Sequence, residues 1–149
     1  ARLAVAGCSS LVGQETDGTI TPVDLGLDWI LSKAKPDFIG KRGLARPDIK
    51  APGRKQLVGL LTTDPAVVLE EGAQIVEDAK QPIPMRMLGH VTSSYMSPAL
   101  GRSIALALVA GGRGRIGQRR WVPMPGRGSE VEVAASPVFY DPQNGRLDG

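Results

Sequence analysis

Chain interruption limits this sequence more than any other property, because 19 Gly and 12 Pro are spread through 149 residues. On the order of one residue in five therefore breaks a helix or a strand. Helices of bundle length do not fit between such breaks, so the chain must be assembled from short elements joined by turns. A hydrophobic content of 42% still allows a packed core. With only two Trp, two Tyr and two Phe, that core must be mostly aliphatic. Nothing approaches the roughly 18 consecutive apolar residues of a membrane span.

The apolar runs are short, regularly spaced and separated by turn residues, which predicts strands. They fall at 55–61, 73–76, 85–91, 103–109, 120–122 and 131–135. Six strands with this much turn chemistry point to a small barrel or sandwich. Thr92, Ser93, Ser94 and Ser97 lie between the third and fourth runs. Their hydroxyls bond to nearby backbone, so a polar bend is expected there, with Ser94 and Ser97 as turn residues.

Upstream, the pattern is different. A strand is expected around 10–13, followed by a polar loop with a tight turn at Asp17-Gly18. Thr21-Pro22-Val23-Asp24 has the form of a helix start, and Gly26 limits that element to about one turn. Residues 27–31 alternate around Trp29 as a strand would, and 37–44 fit a short helix capped by Asp37 and stopped by Pro47. Residues 48–54 read as a linker. The expected organisation is mainly β with short helices (α+β), with one unit at 1–50 and a second at 54–149.

Net charge is +3, with basic clusters at 33–46 and 113–120. Stacking aromatics and nucleic-acid reader motifs are missing, which argues against nucleic-acid binding. Cys8 is the one cysteine, so no disulfide forms within the chain and no Cys/His metal pattern exists. A reducing, cytoplasmic setting fits that usage. Cys8 reads as a small packing residue and His90, the one histidine, as structural. Glu15/Asp17 and Glu70-Glu71 read as loop and turn carboxylates rather than acid–base pairs. Gly111-Gly112-Arg113-Gly114-Arg115-Ile116-Gly117 is Gly-rich but lies outside any βαβ unit, so it is no dinucleotide site. It reads as a mobile loop suited to an acidic partner surface. The start at Ala1, too short for a signal segment, reads as a cut edge of a longer protein.

Several motifs occur in a known order. Gly89-His90-Val91-Thr92-Ser93-Ser94, Ser97-Pro98 and Ile104-Ala105-Leu106-Ala107-Leu108-Val109 follow Gly13-Gln14-Glu15, Thr21-Pro22, Gly26-Leu27-Asp28-Trp29, Asp37-Phe38-Ile39-Gly40-Lys41 and Glu71-Gly72-Ala73. Together they resemble the aminomethyltransferase (glycine-cleavage T-protein) family. Val12–Thr19 and the ending Ser136-Pro137-Val138-Phe139-Tyr140-Asp141-Pro142 are similar to the sub-family formed by the C-terminal part of heterotetrameric sarcosine oxidase alpha subunits.

The resemblance implies a C-terminal six-stranded barrel at 54–149 and, at 1–50, the tail of a folate-binding domain. It implies a parent that oxidatively demethylates sarcosine and passes the one-carbon unit to tetrahydrofolate. FAD or FMN and NAD would sit elsewhere in the complex, and the other oxidase subunits would be the partners. The isolated chain would be inactive, its role being to close the folate cavity and support subunit contacts. The resemblance places Lys33 or Lys35 where the family has a basic folate contact, and Tyr140 where it has a tyrosine. Lysine keeps the charge of an arginine without its bidentate geometry. The family's pterin-holding glutamate is unmatched, since Ala4 follows Arg2-Leu3. The same resemblance leaves open a stand-alone aminomethyltransferase or a dimethylglycine-dehydrogenase relative. The residues alone leave open a non-catalytic barrel that binds a protein through its basic loop.

Overall fold

The computed structural model describes residues 13–134 and 138–140. Six antiparallel strands carry the fold: β1 Lys55–Thr62, β2 Gln74–Ile75, β3 Gly89–Ser97, β4 Arg102–Ala110, β5 Arg119–Met124 and β6 Arg127–Ala134. Their order in the sheet is β2-β3-β4-β1-β6-β5. An antiparallel bridge between Val76 and Trp121 joins the two outer strands and closes the sheet into a barrel. Its two backbone bonds run from Val76 N–H to Trp121 (2.9 Å) and from Trp121 N–H to Val76 (3.2 Å). Closure removes the exposed edges that an open sheet would present.

Alternation decides which side chains fill the barrel. Val58 and Leu60 of β1, Ala105, Ala107 and Val109 of β4, Val122 of β5, and Val131 and Val133 of β6 form the interior, with Ile75 and Val91. Small meets large across the ladder, Val58 opposite Ala107 and Leu60 opposite Ala105. That pairing suits a narrow lumen filled by aliphatic side chains.

The other face of β4 is also covered. Ile104, Leu106 and Leu108 form an outer cluster with Leu57, over which Ile20, Leu25, Leu61, Tyr95 and Phe139 pack. A strand buried on both faces reads as an unbroken apolar run, which is why 104–109 does not alternate in polarity.

The expected bend at 92–97 is instead strand. β3 runs on through Ser97 and pairs with β4 as far as Ser97 opposite Arg102. The ladder's backbone bonds override the local turn preference of the hydroxyls. The register slips between Val91 and Ser93, making Thr92 a β-bulge. Residues 85–88, expected as strand, precede β3 as loop. The turn-rich 123–128 shrinks to a tight β5–β6 hairpin, Met124 pairing with Arg127.

The N-terminal part also differs from expectation. Residues 28–30 form a 3-10 turn rather than a strand. The expected helix at 37–44 is only α1, Lys41–Leu44, while Asp37 accepts the Phe38 N–H at 2.9 Å. Pro47 starts a second short helix, α2, Pro47–Lys50, which runs into the stretch 48–54 read as linker. Proline at a first helical position is pre-set for helix, so it opens one as readily as it stops one. Cys8 and Ala4 lie outside the described residues, as does most of the strand expected at 10–13.

Candidate functional site

Residues 13–27 cross the outer face of the barrel and are held there by two polar clasps. The first rests on Asp24, which is 4% exposed. Thr21 and Asp24 form a reciprocal box: Thr21 N–H and Oγ1 donate to Asp24 Oδ2 at 2.9 and 2.8 Å, and Asp24 N–H donates to Thr21 Oγ1 at 3.3 Å. The predicted cap therefore exists, on one turn that ends at Gly26 with φ 78°. Arg54, just before β1, donates to both carboxylate oxygens of Asp24, its Nη2 reaching Oδ2 at 2.6 Å, and the same Nη2 lies 2.7 Å from the Thr19 carbonyl. Burial pushes the Asp24 carboxyl up, but the bonds from Arg54 and Thr21 outweigh it and hold the carboxyl below its usual value.

The second clasp follows from the bulge. His90 faces outward opposite Leu108. Unbroken alternation would send Thr92 and Ser94 outward as well. The extra residue reverses the phase, so Ser93 and Tyr95 face outward opposite Leu106 and Ile104. Ser93 Oγ donates to Oε1 of Glu15 at 2.5 Å, and Glu15 is 1% exposed. Ser94 takes the buried inward side and accepts the Leu69 N–H at 3.1 Å. Ser94 is thus a strand residue tying down a loop rather than a turn residue.

Glu71 extends this cluster. Gln14 Nε2 donates to Glu71 Oε2 at 3.3 Å. Burial raises the Tyr95 phenol, and the charge of Glu71 and a hydrogen bond to it raise it further. Asp17 serves its own loop, accepting from Thr19 N–H and Oγ1 at 2.7 Å each, and those Thr19 bonds hold its carboxyl low. His90 is lowered by burial and by nearby Lys55, against a smaller opposing pull from Asp17. The hydrogen bonds from Ser93 to Glu15 and from Gln14 to Glu71 make this cluster a fastening of the segment to the barrel. Replacing Ser93 by alanine is expected to cost about 1–3 kcal/mol, the range for taking the donor from a buried acceptor. Urea unfolding of the variant against the parent measures it.

The basic loop is built in rather than mobile. Its 3-10 turn, Gly112–Arg115, sits against β1, where a Cβ on Gly112 would lie 2.8 Å from Val58 Cγ1. Arg113 donates through its guanidinium to the Val23 carbonyl, and its N–H reaches Gln56 Oε1 at 3.0 Å. Arg115 Nε donates to the Ala110 carbonyl at 2.9 Å. Arg119 pairs with Glu130 at 3.1 Å, and Arg120, 9% exposed, lies 3.6 Å from Glu77. A cleft of about 540 Å³ beside Trp121 is bordered by these residues, its cations matched by Glu77, Asp78 and Glu130.

Lys33 and Lys35 share one exposed stretch between the 3-10 turn and α1. Lys35 N–H donates to Ser32 Oγ at 3.3 Å. Tyr140 is half-buried and follows Phe139 in the layer over the barrel. Tyr95 and Arg54 escaped sequence reasoning, which reads Ser93 and Glu71 only as bend and turn residues. Glu15 and Ser93 stand 78 positions apart, and Asp24 and Arg54 stand 30 apart, so no local spacing signals either pair.

Residues 55–141 match the glycine cleavage T-protein C-terminal barrel domain. The chain belongs to that family. Among its relatives, the alpha subunits of sarcosine oxidase from Corynebacterium sp. strains P-1 and U-96 are 47% and 46% identical over 93% of this chain. An aminomethyltransferase from Nostoc sp. is 32% identical over 96% of it. The chain spans 14% of the length of those alpha subunits and 36% of the Nostoc protein. The crystal structure of aminomethyltransferase T of the glycine cleavage system from Bartonella henselae shares the fold, with a TM-score of 0.75 at 21% identity. It covers 92% of this chain and 37% of its own. The mainly β expectation with a six-stranded barrel is borne out, and these relatives are enzymes. Within the family barrel, the Gly-His-Val-Thr-Ser motif is strand plus bulge. No helix among the described residues is long and apolar enough to cross a membrane.

Proposed function

We propose that this chain is the C-terminal part of a sarcosine oxidase alpha subunit. The parent complex would oxidatively demethylate sarcosine and transfer the one-carbon unit to tetrahydrofolate, giving 5,10-methylenetetrahydrofolate. The observation that carries the reading is the gap between 46–47% identity to the alpha subunits and 32% to the Nostoc aminomethyltransferase over comparable spans. The basic-loop reading loses support because Arg113 and Arg115 are spent on backbone carbonyls of the chain itself.

In this reading residues 1–50 belong to the folate-binding domain and 54–149 to the terminal barrel. Lys33, Lys35 and Tyr140 are the proposed folate contacts. The described residues fit one end of a folate only. Two exposed ammonium groups suit its carboxylates as point charges. The pterin end calls for a carboxylate that accepts paired N–H groups. The buried carboxylates among the described residues, Glu15 and Asp24, are engaged by Ser93 and by Arg54 with Thr21. The pterin is therefore assigned to the rest of the parent, and no chemical step is assigned to this chain. Its task is to hold the segment carrying Lys33 and Lys35 against the barrel and to help exclude water from a reactive imine.

The test uses the intact complex with sarcosine and tetrahydrofolate. The expected result is 5,10-methylenetetrahydrofolate in place of free formaldehyde. The Lys33→Ala/Lys35→Ala variant should need about two- to thirtyfold more folate for half-maximal transfer, since each of the two lost surface charge contacts is worth about 0.2–1 kcal/mol. Absence of sarcosine oxidation, or a product unaffected by folate, overturns the reading.

A further inference from the structure

Between Asp24 and Leu57 no residue is buried. That is not for want of apolar side chains. Trp29 is 75% exposed, Ile30 51% and Ile39 fully exposed. Beside them runs an apolar groove of about 400 Å³, lined in part by Leu31, Phe38, Leu44 and Ile49. Neither α1, α2 nor the 3-10 turn contains a buried residue. Helices of four residues have no stability of their own in water and rely on packing. This segment is therefore folded without a core of its own, and its largest apolar side chains, Trp29, Ile30 and Ile39, stand exposed. An exposed apolar patch rimmed by polar residues marks an interaction surface.

We infer that the Trp29–Ile30–Ile39 face is an intramolecular seam, covered by an earlier part of the same polypeptide. The inference rests on the reading of this chain as part of a longer alpha subunit. The chain spans 14% of such a subunit, so most of that polypeptide lies outside this structure. A covalently attached domain meets this face at high effective concentration. The rim bears Lys41 and Arg42, both exposed. The complementary surface is accordingly apolar at its centre and acidic at its edge. The seam also supplies the proposed folate contacts with order, because Lys33 and Lys35 lie between Ile30 and Ile39.

Hydroxyl-radical footprinting of the 149-residue chain, of the intact polypeptide alone and of the assembled complex tests the seam. Trp29 and Ile39 should be modified readily in the chain and at least tenfold more slowly in the intact polypeptide alone. A Trp29→Asp/Ile39→Asp variant gives a second readout. Trypsin should cut the intact variant within 28–50 at least tenfold faster than the intact parent, while the two short chains are cut alike. Equal labelling of Trp29 and Ile39 in all three forms overturns the seam. Protection that arises only in the assembled complex overturns it too, and assigns the face to another subunit. An intact polypeptide that protects Trp29, but whose assembled complex does not oxidise sarcosine, upholds the seam and overturns the functional reading instead.

Discussion

Arg54→Ala should destabilise the protein by about 3–5 kcal/mol, the usual cost of stripping the partner from a buried charge. Arg54 reaches Asp24 through two guanidinium nitrogens, and Asp24 is 4% exposed. Without Arg54 the carboxylate keeps only Thr21 and stays out of water. The Thr19 carbonyl also loses its donor. The midpoint of urea unfolding reads the loss. Asp24→Asn in the Arg54→Ala background should recover part of it. The neutral amide still accepts from Thr21 and no longer buries an unpaired charge. A double-mutant cycle over the pair separates this coupling from the individual contributions.

The same pair predicts the response to acid. The folded carboxyl of Asp24 lies below its ordinary value near 3.8. A depressed carboxyl favours the folded state most when both states are ionised. Its contribution is fully present above the unfolded value, about 4, and is lost as pH falls through the lower folded value. In Arg54→Ala, burial acts on Asp24 without its main counterweight. The stability gap between parent and variant should therefore be widest at neutral pH and narrow below about pH 4. A constant gap from pH 7 to pH 3 would contradict the assignment of Arg54 as the charge partner.

Gly89→Ala should cost more than about 4 kcal/mol, beyond the range of ordinary substitutions. A Cβ on Gly89 would stand 2.1 Å from the Leu108 carbonyl oxygen and 2.8 Å from Val109 Cα. Both are backbone atoms of β4, which is buried on both faces and cannot move aside. The glycine is needed for space rather than for an unusual φ. Far-UV circular dichroism at 25 °C should show the loss of β structure. Gly114→Ala, where a Cβ meets nothing within 4 Å, is the control and should stay within about 0.5 kcal/mol of the parent. If Gly89→Ala unfolded at the parental midpoint, the close approach of β3 to β4 would be wrong.

The six strands were legible because each carries its own signal. Aliphatic runs bounded by Gly and Pro fix where strands can lie, and Val58/Leu60 and Val131/Val133 show the two-residue period directly. The length of β3 was not legible. Thr92, Ser93, Ser94 and Ser97 favour turns when only near neighbours are considered. In the barrel their backbone pairs with β4, and the ladder outweighs a side-chain preference of a few tenths of a kcal/mol. The region 28–50 misled for a different reason. Its alternation around Trp29 mimics a strand, but Trp29, Ile30 and Ile39 are left exposed and no strand partner lies beside them among the described residues.

The sequence by itself determined the short-element β architecture, the aliphatic interior and the one-turn cap at Thr21–Asp24. These depend on residues within a few positions of one another, where steric and hydrogen-bonding preferences act directly. The tertiary structure alone decided the Val76–Trp121 closure, the phase change at Thr92, the seating of Glu15 on Ser93 and the grip of Arg54 on Asp24. Each joins groups from distant parts of the chain or depends on a register set by another strand. Their energy comes from burial and partnering, which exist only once the barrel has brought the groups together.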